Sequence, residues 1–181
     1  MWEASPDGDL IMNSQPHSKN LRLHRQVEPH GTFFITKCIE PRRPVLDSVA
    51  RMVVCNAFAD CVKCDRILVG AFAVMPGHWH AVFALMKNET IADFMESFMK
   101  FVSRRTMPGL RANDCGWQDG YRDTKIRSTK QLSHVCAYIE QNPVRKGLVA
   151  TADEWKARSA HPKHQDFVTK PWPWEFPYDH R

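Results

Sequence analysis

With 181 residues, 43% of them hydrophobic, the chain can bury one substantial core and is too apolar for wholesale disorder. No stretch reaches the roughly 18 consecutive apolar residues of a membrane span. Met1–Asp9 lacks a basic segment followed by an apolar one, so no membrane partner and a cytoplasmic location are expected. The net charge of +5 biases the partner toward an anion, most commonly nucleic acid.

In chain order, residues 1–28 are polar, carry Pro6, Gly8 and Pro16, and read as a flexible N-terminal arm. Within it, Leu21–Arg25 could dock on DNA or act as a linker. Residues 32–39 are β-branched and aromatic, a strand by composition, closed by Pro41 and Pro44. Val45, Val49, Met52, Val53, Asn56, Ala57 and Val62 recur at helical spacing and predict an amphipathic helix over 45–63. Residues 67–75 and 78–85 predict two strands joined at Pro76-Gly77, a hairpin. Thr90 is an N-cap candidate for a helix over 91–107, ended by Pro108-Gly109. A fourth strand is expected within 117–127. A final helix, capped by Ser128 or Thr129, is expected to stop before Pro143. Residues 150–181 are rich in Pro and Trp and predict irregular packing or disorder. The order β-α-β-β-α-β plus a helix is that of an α+β, ferredoxin-like antiparallel sheet with helices on one face.

Six cysteines, with Cys61 and Cys64 at ligand spacing, invite a zinc reading. No second such pair follows, so reduced and mostly buried thiols are expected.

Two short stretches carry chemistry. In His78-Trp79-His80, residues i and i+2 of a strand share a face, so both imidazoles point together and could hold a divalent metal. Tyr138 and Asn142 stand at i and i+4 of a helix, one above the other. The Asn142 amide could be a third metal ligand, with Gln141 as the fallback and Glu140 pointing elsewhere. A tyrosine with a reference pKa of about 10 needs a nearby cation to favour its phenolate. The other tyrosines are Tyr121, the second candidate, and Tyr178 in the Pro-rich tail.

These residues resemble a known family. Val74–His80 is similar to the histidine–hydrophobic–histidine (HUH) motif of bacterial single-tyrosine transposases. Tyr138–Val149 resembles the tyrosine–asparagine–proline signature of the REP-associated tyrosine transposases, a branch of that group. Trp117–Asp123 with Ile126-Arg127, and residues 32–46, resemble further segments of the same family. The resemblance spans roughly residues 21–160 and places an HUH single-tyrosine transposase domain at 29–160, with a Pro/Trp-rich tail at 161–181.

It implies the HUH nuclease fold, a requirement for Mg²⁺ or Mn²⁺, and single-stranded DNA hairpins of the REP/BIME type as partner. It implies cleavage through a 5′-phosphotyrosine, with Tyr138 as nucleophile and His78, His80 and Asn142 at the metal. It also implies a monomer rather than a dimer that exchanges tyrosine helices. Arg104, Arg105, Arg127 and Arg145 are the expected phosphate contacts. Two positions depart from the family: Gly77 replaces the usual Asn before the first histidine, and Lys146 stands where a small residue is commoner. The competing readings are a protein of the same fold that binds DNA hairpins without cutting, a relaxase or replication initiator, and a zinc protein organised by Cys61 and Cys64.

Overall fold

A computed structural model describes residues 31–41, 43, 45–106, 116–173, 175–176 and 179, together with the paired two-residue strands Glu3–Ala4 and Leu10–Ile11. The expected arm at 1–28 otherwise lies outside the described residues.

Four strands form the main sheet: β1 (Thr32–Cys38), β2 (Ile67–Val74), β3 (His78–Leu85) and β4 (Arg122–Lys125). Their spatial order is β2-β3-β1-β4 and every pairing is antiparallel, the ferredoxin-like arrangement. Helices α1 (Ser48–Lys63) and α2 (Ile91–Thr106) pack against each other and share one face. Helix α3 (Thr129–Arg145), which follows the β-α-β-β-α-β unit, lies against β2 and β3 on the other face. The helices of the unit thus sit on one face as expected, and the added helix occupies the opposite one.

The face under α1 and α2 is aromatic. The Phe58 ring lies 5.3 Å from Phe72, 5.4 Å from Trp79 and 4.8 Å from Phe98, centroid to centroid. The face under α3 carries Phe34, Ala71, Ala73 and Val82. A bulge between Val69 and Ala71 reconciles the two in β2. One extra residue there reverses the alternation, so Ile67, Val69, Phe72 and Val74 all face the aromatic core while the small Ala71 and Ala73 face α3.

Two expectations need correction. The buried side of α1 is Val54, Cys55, Ala57 and Phe58, whereas Val45 and Val49 are exposed. Apolar residues lie on both sides of this helix, and Phe58, which the periodicity left out, sets the phase through its ring contacts. The fourth strand does fall within 117–127, as Arg122–Lys125, with Trp117 adding a single bridge to Ile39. Helix α3 does not stop before Pro143 but runs two residues past it. Proline disfavours a helical residue before it, yet Asn142 and Pro143 are both buried. Lys146 N–H closes the last turn on Asn142 O at 3.0 Å.

The described part of the C-terminal region is packed. Residues 157–159 run along the outer edge of β2, with Val74 N–H bonded to Ala157 O and Ser159 N–H to Phe72 O, each at 2.8 Å. Thr169 N–H bonds Val69 O at 2.7 Å, and Phe176 is buried in the core under α3. The edge of β2, whose backbone groups would otherwise be open to pairing, is therefore covered.

Candidate active site

The β2–β3 hairpin turns on Pro76-Gly77, and Met75 N–H bonds His78 O at 2.8 Å. Two other backbone bonds fix this turn: Leu46 N–H to Pro76 O and Ile39 N–H to Gly77 O, both 2.8 Å. A Cβ at Gly77 would meet nothing within 4 Å. The turn is tied down through backbone groups, and there is open space for a Cβ at Gly77.

From this turn β3 presents His78 and His80 on the α3 face, their ring centroids 4.7 Å apart, while Trp79 enters the aromatic core. Strand register sets Thr36 directly opposite His80. The Thr36 hydroxyl lies 2.8 Å from His80 Nδ1. When Nδ1 carries the proton and donates it to Thr36 Oγ1, Nε2 keeps its lone pair. His80 Nε2 is buried and has no protein partner. Burial, then the neighbouring His78 and the Lys146 ammonium, hold His80 well below the ordinary imidazole range, so the ring is neutral at neutral pH.

Helix α3 supplies the rest. Ser128 caps its start by accepting from Gln131 N–H at 3.2 Å. The Asp179 carboxylate accepts from Thr129 N–H at 2.7 Å and from Thr129 Oγ1–H at 2.6 Å, placing negative charge at the helix N-terminus where it is stabilising. Tyr138 is buried, its ring 5.5 Å from His80 and edge-on to Phe34 at 6.2 Å. One turn on, Asn142 is 1% exposed, and its Oδ1 is buried with no protein partner; Gln141 is exposed. Of the two amides, Asn142 faces inward. The turn beyond Pro143 brings the Arg145 guanidinium to 5.3 Å from the Tyr138 ring centroid.

The donor set is two imidazoles and one amide oxygen. Two buried atoms of that set, His80 Nε2 and Asn142 Oδ1, have no protein partner. A divalent ion that takes nitrogen and oxygen ligands and keeps positions for phosphate or water fits these residues. Among the described residues no three His, Cys, Asp or Glu side chains stand together as a metal cluster. Cys61 is half-buried, its thiol pushed up to about 11 chiefly by burial, and Cys64 is exposed.

The remaining candidates are dispersed. Arg127 is exposed just before α3, its backbone N–H bonded to Gln131 Oε1 at 2.9 Å. Arg104 and Arg105 are exposed on the last turn of α2, across the sheet from the histidines, with Arg105 lying 3.6 Å over the Phe101 ring. Tyr121 packs against the aromatic core rather than the α3 face. Tyr178 lies outside the described residues. Sequence reasoning missed Thr36, read only as a β-branched strand residue. Its signal is strand register, which pairs positions 44 residues apart.

A family model for IS200-like transposases matches residues 31–142, most of the chain. The chain belongs to the IS200-like transposase family. It is 29% identical over 136 residues to the REP-associated tyrosine transposase of Escherichia coli (strain K12), covering 72% of this chain and 77% of the relative. It also superposes on the structure of a REP-associated tyrosine transposase bound to a REP hairpin. That match has a TM-score of 0.65 and 23% identity, covers 84% of this chain and 90% of the other, and establishes the shared α+β fold. Transposases of this kind are generally metal-dependent and act on DNA. Among the described residues, no helix of this transposase is long and apolar enough to cross a membrane.

Proposed function

We propose that this transposase nicks and rejoins single-stranded DNA at REP-type palindromic hairpins, with Tyr138 as nucleophile and a 5′-phosphotyrosine as intermediate. The observation that best supports the reading is the meeting of three rings on one face of the sheet. His78 and His80 are 4.7 Å apart and Tyr138 lies 5.5 Å from His80, centroid to centroid. The kinship with REP-associated transposases points to the hairpin substrate.

In this reading Tyr138 Oη attacks the scissile phosphorus. A Tyr–O–P bond forms, the bond from phosphorus to the 3′ oxygen breaks, and the departing 3′ oxygen takes up a proton. The phosphodiester energy is conserved, so the 3′-OH can reverse the step. His78, His80 and Asn142 would hold Mg²⁺ or Mn²⁺, which when bound polarises the phosphoryl oxygen and favours the phenolate. Burial of Tyr138 and His80 keeps bulk water from competing with the 3′-OH for the phosphotyrosine. Arg145, over the Tyr138 ring, would meet phosphate near the cut, and Arg127, exposed just before the same helix, would meet phosphate farther along the DNA. Arg104 and Arg105 would contact only DNA that passes around the sheet.

The test is a cleavage assay on a labelled REP-type hairpin with Mg²⁺ or Mn²⁺, comparing wild type, Tyr138→Phe and an EDTA control. The expected result is a covalent protein–DNA adduct in the wild type alone. Tight hairpin binding without cleavage would replace this reading with the non-cutting one. Replacing one phosphate-contacting arginine should lower the slope of log affinity against log salt by about 0.7. That change is expected for Arg145→Ala and Arg127→Ala, and an unchanged slope removes the residue concerned.

A further inference from the structure

Tyr138 and Glu140 point to different sides of α3, two residues apart on a helix of 3.6 residues per turn. Tyr138 enters the site, and Glu140 meets the chain segment laid along β2. Glu140 Oε2 accepts from Arg158 Nη1 at 2.8 Å. Glu140 Oε1 accepts from Ala160 N–H at 3.0 Å and from Ser159 Oγ–H. Ser159, fully buried, is itself fixed to the sheet: its Oγ accepts from Phe72 N–H at 2.9 Å and its N–H donates to Phe72 O at 2.8 Å. Arg158 is 5% exposed, bridges to Ala73 and also reaches Asp153. A continuous polar chain thus runs from the backbone of β2 through Ser159 to the helix that carries the tyrosine.

We infer that Glu140 is a positioning residue for the nucleophile: through Ser159, Ala160 and Arg158 it fixes the rotation of α3 about its own axis and so holds Tyr138 toward His78 and His80. A helix packed only through Leu132, Val135 and Ile139 could roll on the small Ala71 and Ala73 with little change in apolar contact. The three directed bonds to one carboxylate oppose that motion, and charge assistance makes such bonds strong. The anchor lies one turn or less from both Tyr138 and Asn142, where a small rotation would misplace both. In geometry-limited steps an error of about 1 Å costs on the order of 100-fold in rate.

This inference rests on Tyr138 being the nucleophile, so its test includes a measurement that does not. Amide hydrogen exchange of Glu140→Ala should be faster over residues 136–146, with β1 and β3 unchanged. At saturating hairpin the cleavage rate constant should fall at least tenfold while hairpin Kd stays within twofold. Glu140→Gln, which keeps an acceptor for Ser159 and Ala160 but loses the charge facing Arg158, should lie between wild type and Glu140→Ala in both readouts, and it is the variant read if Glu140→Ala does not fold. Unchanged exchange over α3 would overturn the inference, as would wild-type cleavage by a variant whose α3 exchanges faster. If the wild type forms no adduct, the functional reading fails, while the exchange data still decide whether Glu140 anchors the helix.

Discussion

Thr36→Val removes one hydroxyl and keeps the β-branched shape the strand requires. The lost group is the one 2.8 Å from His80 Nδ1, in a ring whose Nε2 is buried without a protein partner. Two routes give the magnitude. Leaving a buried imidazole N–H without an acceptor costs about 1–3 kcal/mol. Removing the partner that orients a metal-binding histidine lowers metal affinity by roughly 10–100-fold, or about 1.4–2.7 kcal/mol. Calorimetric titration of Mn²⁺ into protein without DNA should therefore show Kd rising 10–100-fold in Thr36→Val, with cleavage recovered at high Mn²⁺. A Mn²⁺ Kd within threefold of wild type would refute the role assigned to Thr36, and with it the Nε2-facing geometry of His80.

Acid should destabilise the fold through its buried histidines. His80 and His164 are both held below the ordinary imidazole value of 6.5, primarily by burial. The unfolded chain binds protons near that pH that the folded protein refuses. The stabilisation is complete above about pH 6.5 and is lost as pH falls below it, by at most about 1.4 kcal/mol per pH unit for each histidine. Urea unfolding at pH 7.5 and 5.5 should show this loss, with a flatter dependence in His80→Asn; parallel profiles would contradict it. Gly77→Asn should fold with stability within about 0.5 kcal/mol of wild type, because its Cβ enters open space and the turn is bonded through backbone groups; a larger loss in thermal unfolding would show a constraint at that turn beyond those contacts. Phe176→Ala should cost about 3 kcal/mol, since the ring is buried under α3. A change under 1 kcal/mol in urea unfolding would mean that this region contributes little to the core.

The parts legible in the sequence are those whose geometry is local. His78 and His80 share a face because they are two residues apart in a strand. Asn142 follows Tyr138 on the helix because they are four apart. The strands of the hairpin were bounded by Pro76-Gly77 and by their apolar content. What stayed hidden depends on partners distant in the chain. Thr36 meets His80 through register, and Glu140 meets Arg158 and Ser159 only because the chain returns along β2. The phase of α1 is ambiguous in the sequence because apolar residues lie on both its sides, and ring contacts of Phe58 decide between them. The local preference against a helical residue before Pro143 is overridden by the burial of Asn142 and Pro143, which only the packed fold reveals.

Strand β3 carries the two histidines and the central tryptophan of the core on consecutive positions, so chemistry and folding occupy opposite parities of one strand. A slip of one residue in its pairing would drive both imidazoles into the aromatic interior and leave Trp79 facing the tyrosine. Such an error would disable the site and the core together. Single-residue insertions or deletions in β3 should therefore be absent from working descendants of this chain, while paired changes that preserve odd and even could survive.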